Sequence, residues 1–321
     1  MLRRAFIALV MSVLATVSAH AADDYPNRPI RLVVGFAPGG SADTNCRLLA
    51  AHLSERLGQQ VVVDNRPGAS GTIAAQAVAR SDPDGYTLLY LTSASHAILP
   101  FIMPLSYDPM ADFSPVILVG KVGMVLIANP ASPVSSLDEL VAAARAKPGG
   151  VAFASPGTAS SHHLAMALFN QNTHTEMLHV PYKGSAPALN DVVAGEVPFM
   201  VDTISTSLPL IEGGKVRAIA VTSAERSPLL PEVPTFAQAG VQGFDVDVWG
   251  GISAPAGTPR AIVERLNREL NAILANPEVR RIFRAKGSEG GGGSPEHFAA
   301  FIAAEGDKWR EVIQTAGIKA N

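Results

Sequence analysis

Ile30-Arg31-Leu32-Val33-Val34-Gly35 runs directly into Phe36-Ala37-Pro38-Gly39-Gly40-Ser41-Ala42-Asp43. An apolar run of strand length meets a glycine- and proline-rich turn, and Ser41 stands where a helix cap belongs. Leu49, Leu53 and Leu57 then recur at helical spacing, and Gly58 closes the helix. Val61-Val62-Val63 is a second strand, Asn65-Arg66-Pro67-Gly68 a loop, and Ile73, Ala77 and Val78 mark a second helix. After the turn at Asp82-Pro83-Asp84-Gly85, Tyr86 to Leu91 is a third strand. Strand–helix–strand–helix–strand is the pattern of a parallel sheet with helices on both faces, so the class is α/β.

Two apolar stretches follow between Val116 and Ala128, broken near Gly120, and are expected to cross into a second lobe. From there the α/β pattern restarts. Ser136 to Ala146 is a helix, Val151 to Ser155 a strand, and a helix runs through Leu164, Leu168 and Phe169. Leu178 to Val180, Phe199 to Val201 and Val216 to Val221 are strands, with a helix at Ala186 to Ala194. Trp249 to Ala254 returns as a strand, Pro259 starts a helix at its first position, and Ser294-Pro295-Glu296-His297 opens the last helix. This divides the chain into one lobe at 22–124 plus 247–321 and another at 125–246. A cleft between two lobes is a favoured ligand site.

The chain has 321 residues, 47% hydrophobic and 17% charged, which suits two packed lobes and excludes a disordered chain. Its 25 basic and 28 acidic residues argue against nucleic acid as a partner, since phosphate neutralisation needs a basic surface. Cys46 is the single cysteine, so no intrachain disulfide forms. Arg3-Arg4, an apolar run from Ala5 to Val17, and Ala19-His20-Ala21 read as a signal peptide, residues 1–21, cut after Ala21. That run is too short to span a bilayer. Removal of the two arginines takes the formal charge from −3 to −5.

Two strand–loop–helix mouths resemble each other physically. The first is Phe36 to Asp43; the second runs from Ser155 through Pro156-Gly157-Thr158-Ala159-Ser160-Ser161 to His163. Each presents free backbone N–H groups at a helix start, where the dipole favours an anion. Ser41, Thr158, Ser160 and Ser161 add hydroxyls. Two such ends facing each other would clamp a carboxylate without a formal cation. The alternative is two ordinary turns with serine caps, and Asp43 reads more naturally as a helix-capping residue than as a ligand contact.

Competing chemistries lack their motifs. The first loop has neither G-x-G-x-x-G spacing nor a P-loop lysine, and no G-x-S-x-G elbow is present. No nucleophile, base and orienter form a catalytic set, so the chain is not read as an enzyme. His162 and His163 are adjacent and point about 100° apart on a helix, so they do not chelate a metal. No cofactor is expected.

The ordered motifs resemble the tripartite tricarboxylate transporter receptors, also called Bordetella uptake gene receptors. They include Tyr25-Pro26, Phe36 to Asp43, Asn65-Arg66-Pro67-Gly68-Ala69, Pro83-Asp84-Gly85-Tyr86, Pro181-Tyr182-Lys183-Gly184, Leu230-Pro231-Glu232-Val233-Pro234-Thr235 and Ala254-Pro255-Ala256-Gly257-Thr258-Pro259. The resemblance implies a two-lobed periplasmic-binding-protein type 2 fold that closes like a flytrap. It implies a periplasmic monomer that catches a small carboxylate for separate membrane permease subunits. It places ligand contacts on Phe36, Ala37, Pro38, Gly39, Gly40, Ser41 and Asp43, on Ser155, Gly157, Thr158, Ser160, Ser161 and His163, and on Asp202 and Thr203. Ala159 stands where the family often has glycine, which predicts a stiffer or differently turned second loop. A ligand-presenting sensor partner and an exported α/β hydrolase are the competing readings.

Overall fold

The computed structural model describes residues 25–36, 38–39, 41–182, 184–289 and 291–319. The expected signal peptide, Ala37, Gly40 and Lys183 lie outside the described residues.

The opening unit is β1 (Ile30–Val34), α1 (Ser41–Leu57), β2 (Val61–Asn65), α2 (Thr72–Ala79) and β3 (Thr87–Thr92). β1 lies parallel between β2 and β3, with Ile30 opposite Val61 and Val34 opposite Tyr90. Cys46, Leu49, Leu53 and Leu57 form the buried stripe of α1, as their spacing requires. Burial also pushes the Cys46 thiol well above its ordinary pKa.

β4 (Phe113–Ala128) is one 16-residue strand, not the two stretches expected from its sequence. Gly120 does not break it. Gly120 pairs with Gly250, and the ladder absorbs the irregularity by shifting register between Leu118 and Gly120. β4 joins two sheets. Its first part, to Gly123, pairs with β9 (Asp247–Pro255), and its last five residues pair with β7 (Phe199–Thr203). The full order is β2-β1-β3-β9-β4-β7-β5-β6, where β5 is Ala152–Ser155 and β6 is Leu178–Pro181. β8 (Arg217–Val221) and β10 (Ser288–Glu289) also pair with β4.

The helices of the second sheet are α3 (Leu137–Ala146), α4 (Ser161–Thr173), α5 (Ser185–Ala194) and α6 (Ile204–Glu212). Sequence reading missed α6, which carries Pro209 inside it. α7 (Arg260–Ala275) and α8 (Pro277–Ala285) return to the first sheet; Pro259 is the cap of α7 rather than its first residue. α9 (Pro295–Ala316) packs against α4, β4 and the helical turn at 94–98, so it touches elements on both sides of the crossing. One apolar cluster accordingly runs from Val33 and Leu91 through Leu126 and Phe169 to Phe298 and Trp309.

Asp247 sits at that crossing, opposite Gly123. Its Oδ1 is buried without a hydrogen-bond partner. Burial, then the charge of Asp245, pushes its carboxyl up to about 6, against the pull of Lys121 and Lys308. A folded pKa above the unfolded value means stability fully present below about 3.8 and lost as pH rises through about 6. Asp247→Asn is therefore expected to add roughly 1–3 kcal/mol near neutral pH. The gain should fade below about pH 4. Urea titrations at both pH values check it, and an equal gain at both would assign the effect to packing.

Candidate functional site

The first loop is braced from beneath. A Cβ on Gly35 would lie 2.5 Å from Gly71 Cα, so the loop crosses the 68–71 segment only because residue 35 is glycine. Asp43, in the first turn of α1, reaches back to accept the Gly39 N–H at 2.9 Å. Its carboxylate also accepts from Arg47 Nε at 3.0 Å and Asn65 Nδ2 at 2.8 Å. Asn65 Nδ2 donates in addition to the Phe36 carbonyl at 3.0 Å. The Arg47 guanidinium and then the Gly39 amide hold the Asp43 carboxyl down at about 2. Asp43 and Gly39 thus satisfy each other. Pro38 and Gly39 are exposed, and Ser41 is the first residue of α1.

The second loop is braced in a similar way. Ser155 is wholly buried; its Oγ lies 2.6 Å from His179 Nε2 and 3.0 Å from the Gly157 carbonyl it bonds. Ser160 caps α4, accepting the His163 N–H at 3.2 Å. Ala159 adopts φ 63°, the left-handed conformation that glycine enters freely and that costs other residues about 1–2 kcal/mol. Its N–H donates to His163 Nδ1 at 3.2 Å. His163 then stacks on His179 at 3.8 Å with an 8° tilt. Burial holds both imidazoles down at about 4. Gly157 and the exposed Thr158 form the outer turn.

Between the loops lies a cleft of about 370 Å³. Phe36, Ala42, Asn45 and Ser70 line it from one side, and Pro156, Ser160, Ser161 and His162 from the other. Tyr90, Thr92, Ser93 and Ala94, at the end of β3, form a third wall; Val119, Gly120 and Val122 with Val248, Trp249 and Gly250 form the floor. Ser93 Oγ and Ser161 Oγ stand 3.3 Å apart, joining the two sides. Trp249 is held from behind by its Nε1–H, which donates to Glu305 of α9 at 2.9 Å.

Of the residues the sequence singled out, Phe36, Ser160 and Ser161 line this cleft. Asp202 is wholly buried and accepts from Ser185 at 2.9 Å, from Ser207 at 3.3 Å and from Thr206. Thr203 caps α6 and meets Thr206 Oγ1 at 2.8 Å. His163 faces the stack with His179 instead of the cleft. Sequence reading did not place Asn45, Tyr90, Thr92, Ser93, His162 or Trp249 among the contacts; all six line this cleft. One signal was available for Tyr90 to Ser93. They sit at the carboxyl end of a parallel strand, where open α/β sheets bind ligands.

The profile of the tripartite tricarboxylate transporter family receptors matches residues 46–318. The chain belongs to this family. The Bordetella pertussis protein BugT is 39% identical over 317 residues, covering 98% of this chain and 97% of that one. The structure of R. palustris Rpa4515 with adipate is 41% identical with a TM-score of 0.82, covering 92% of this chain and 99% of that one. MatC from Rhodopseudomonas palustris with bound malate is 33% identical, TM-score 0.77, covering 90% and 100%. Family receptors of this kind are periplasmic solute-binding proteins with a two-lobed α/β fold.

In this receptor the cleft carries no Lys, Arg, Asp or Glu among its described lining residues. Its lining residues do carry buried polar atoms without a hydrogen bond: Asn45 Oδ1, Thr92 Oγ1 and both ring nitrogens of His162. Orphaned buried polar groups cost about 1–3 kcal/mol each. The start of α4 and the Ser93–Ser161 hydroxyl pair supply donors suited to an anion. Phe36, Tyr90, Val122 and Trp249 provide an apolar wall for a carbon skeleton. Among the described residues no cluster of three His, Cys, Asp or Glu is arranged for a metal ion. No described helix is long and apolar enough to cross a membrane.

Proposed function

We propose that this receptor captures a small organic carboxylate between its lobes and hands it to the membrane permease subunits of a tripartite transporter. The observation that carries the proposal is the cleft itself: walls from both sheets, orphaned polar atoms on its lining residues, and no formal charge among its described lining residues. Adipate and malate, bound by the relatives, are acids of matching size. A volume of about 370 Å³ falls at the small end of ligand pockets, roughly 300–1,000 Å³. The proposal includes lobes at 22–124 plus 247–321 and 125–246, joined through β4 and β9, and a monomeric receptor rather than an enzyme. It also includes export by a signal peptide cut after Ala21. The ligand contacts proposed are the two loop ends with Asn45, Ser93, His162 and Trp249 added.

A thermal-shift screen of mono- and dicarboxylic acids on the mature protein tests it. An acid at about 100 times its Kd should add ~2.7 kcal/mol of stability. Small-angle scattering should show compaction with the same acid, because contacts to both lobes favour the closed state. A screen in which no acid moves the transition would overturn the proposal.

A further inference from the structure

His162 stands between the cleft and a buried carboxylate. It is one of the lining residues, its side chain is 14% exposed with both ring nitrogens buried, and Nε2 lies 3.4 Å from Asp202 Oδ1. Neither ring nitrogen makes a hydrogen bond. The surroundings hold few other charges. From β7 the facing group is Asp202, and from α5 and α6 the groups around that carboxylate are the hydroxyls of Ser185, Thr206 and Ser207. From β3 the ionisable group on the cleft is Tyr90. On α4 itself His163 is engaged with Ala159 and His179. On α9, Glu305 is engaged with Trp249 and Lys308.

We propose that His162 couples ligand capture to proton uptake: the imidazole takes one proton from solvent as the acid is enclosed beside it. This rests on the carboxylate-receptor reading above. In the empty cleft burial disfavours the imidazolium, while the charge of Asp202 alone opposes that effect. A bound carboxylate adds a second negative charge against the ring and tips the balance toward the cation. The proton comes from solvent and ends on a ring nitrogen; no other bond is made or broken. The imidazolium then supplies the positive charge that no described Lys or Arg brings to the cleft. The coupling gives selectivity as well. An uncharged amide or alcohol of the same shape adds no negative charge, so it gains nothing from protonation.

The test is calorimetry with three probes, adipate, glutarate and benzoate, in phosphate and in Tris near neutral pH. Different buffer ionisation heats report the protons taken up. A bound probe should take up about half to one proton, and its Kd should rise by up to tenfold per pH unit between about pH 7 and pH 9. His162→Gln keeps a hydrogen-bond donor that does not titrate. In that variant uptake should fall close to zero and the pH profile should flatten. A probe that binds wild-type protein with no proton uptake overturns the coupling. Uptake undiminished in His162→Gln also overturns His162 as its seat. If wild-type protein binds none of the three probes, the carboxylate reading falls and takes this inference with it, a result distinct from binding without protons.

Discussion

Replacing Trp309 by alanine is expected to cost about 3–5 kcal/mol of folding free energy. Trp309 is wholly buried on α9, in the apolar cluster that also holds Val33 and Leu91 of the first sheet and Leu126 and Phe153 of the second. Truncation there opens a void that neither side can fill, because each is anchored to its own strands. The indole Nε1 is itself buried without a partner. Trp309→Phe removes that orphan donor along with a smaller volume, so it should cost clearly less than the alanine change. Trp249 remains as a fluorescent reporter in both variants. Guanidinium unfolding followed by that signal and by circular dichroism checks both values. A loss below about 1 kcal/mol for Trp309→Ala would mean that α9 does not clamp the two sheets.

Gly250→Ala is expected to weaken ligand binding by roughly 10- to 100-fold, the equivalent of about 1–3 kcal/mol of overpacking. Gly250 lies on β9, opposite Thr92 of β3 and Gly120 of β4. A Cβ there would lie 2.2 Å from the Tyr90 hydroxyl and 2.4 Å from its Cζ. Tyr90 is buried, in contact with Asn45, and forms one wall of the cleft. It has to move into the cleft or push the strands apart. Calorimetry with the tightest acid from the screen, beside thermal unfolding of the empty protein, separates lost affinity from lost stability. An affinity within about twofold of wild type would place the ligand away from Tyr90.

Much of the fold was legible because its signals are local. The run Val61 to Val63, the stripe Leu49-Leu53-Leu57 and the turn at Asp82 to Gly85 each report their element without reference to the rest of the chain. The elements that were missed or misread depend on distant partners. β4 reads as two pieces around Gly120, yet its neighbour Gly250 lets the two backbones continue side by side. α6 carries Pro209, a residue that argues against a helix in isolation. The motif Asn65-Arg66-Pro67-Gly68 was visible as a family mark. Its physical task was not, since Asn65 meets Asp43 and Phe36 only after β2 pairs with β1.

By itself the sequence determined the α/β order, the two strand–loop–helix mouths and the receptor family, because short-range periodicity and ordered motifs carry that information. Only the tertiary structure decided which residues line the cleft. Asp43 and Gly39 turn to each other, and Asp202 turns to the hydroxyls of its own sheet's helices. Successive residues on α4 point about 100° apart. That rotation places His162 on the cleft beside Asp202 and sends His163 to its stack with His179. Two adjacent histidines of identical chemistry thereby take different surroundings, and the choice is made by the angle at which α4 packs on the sheet.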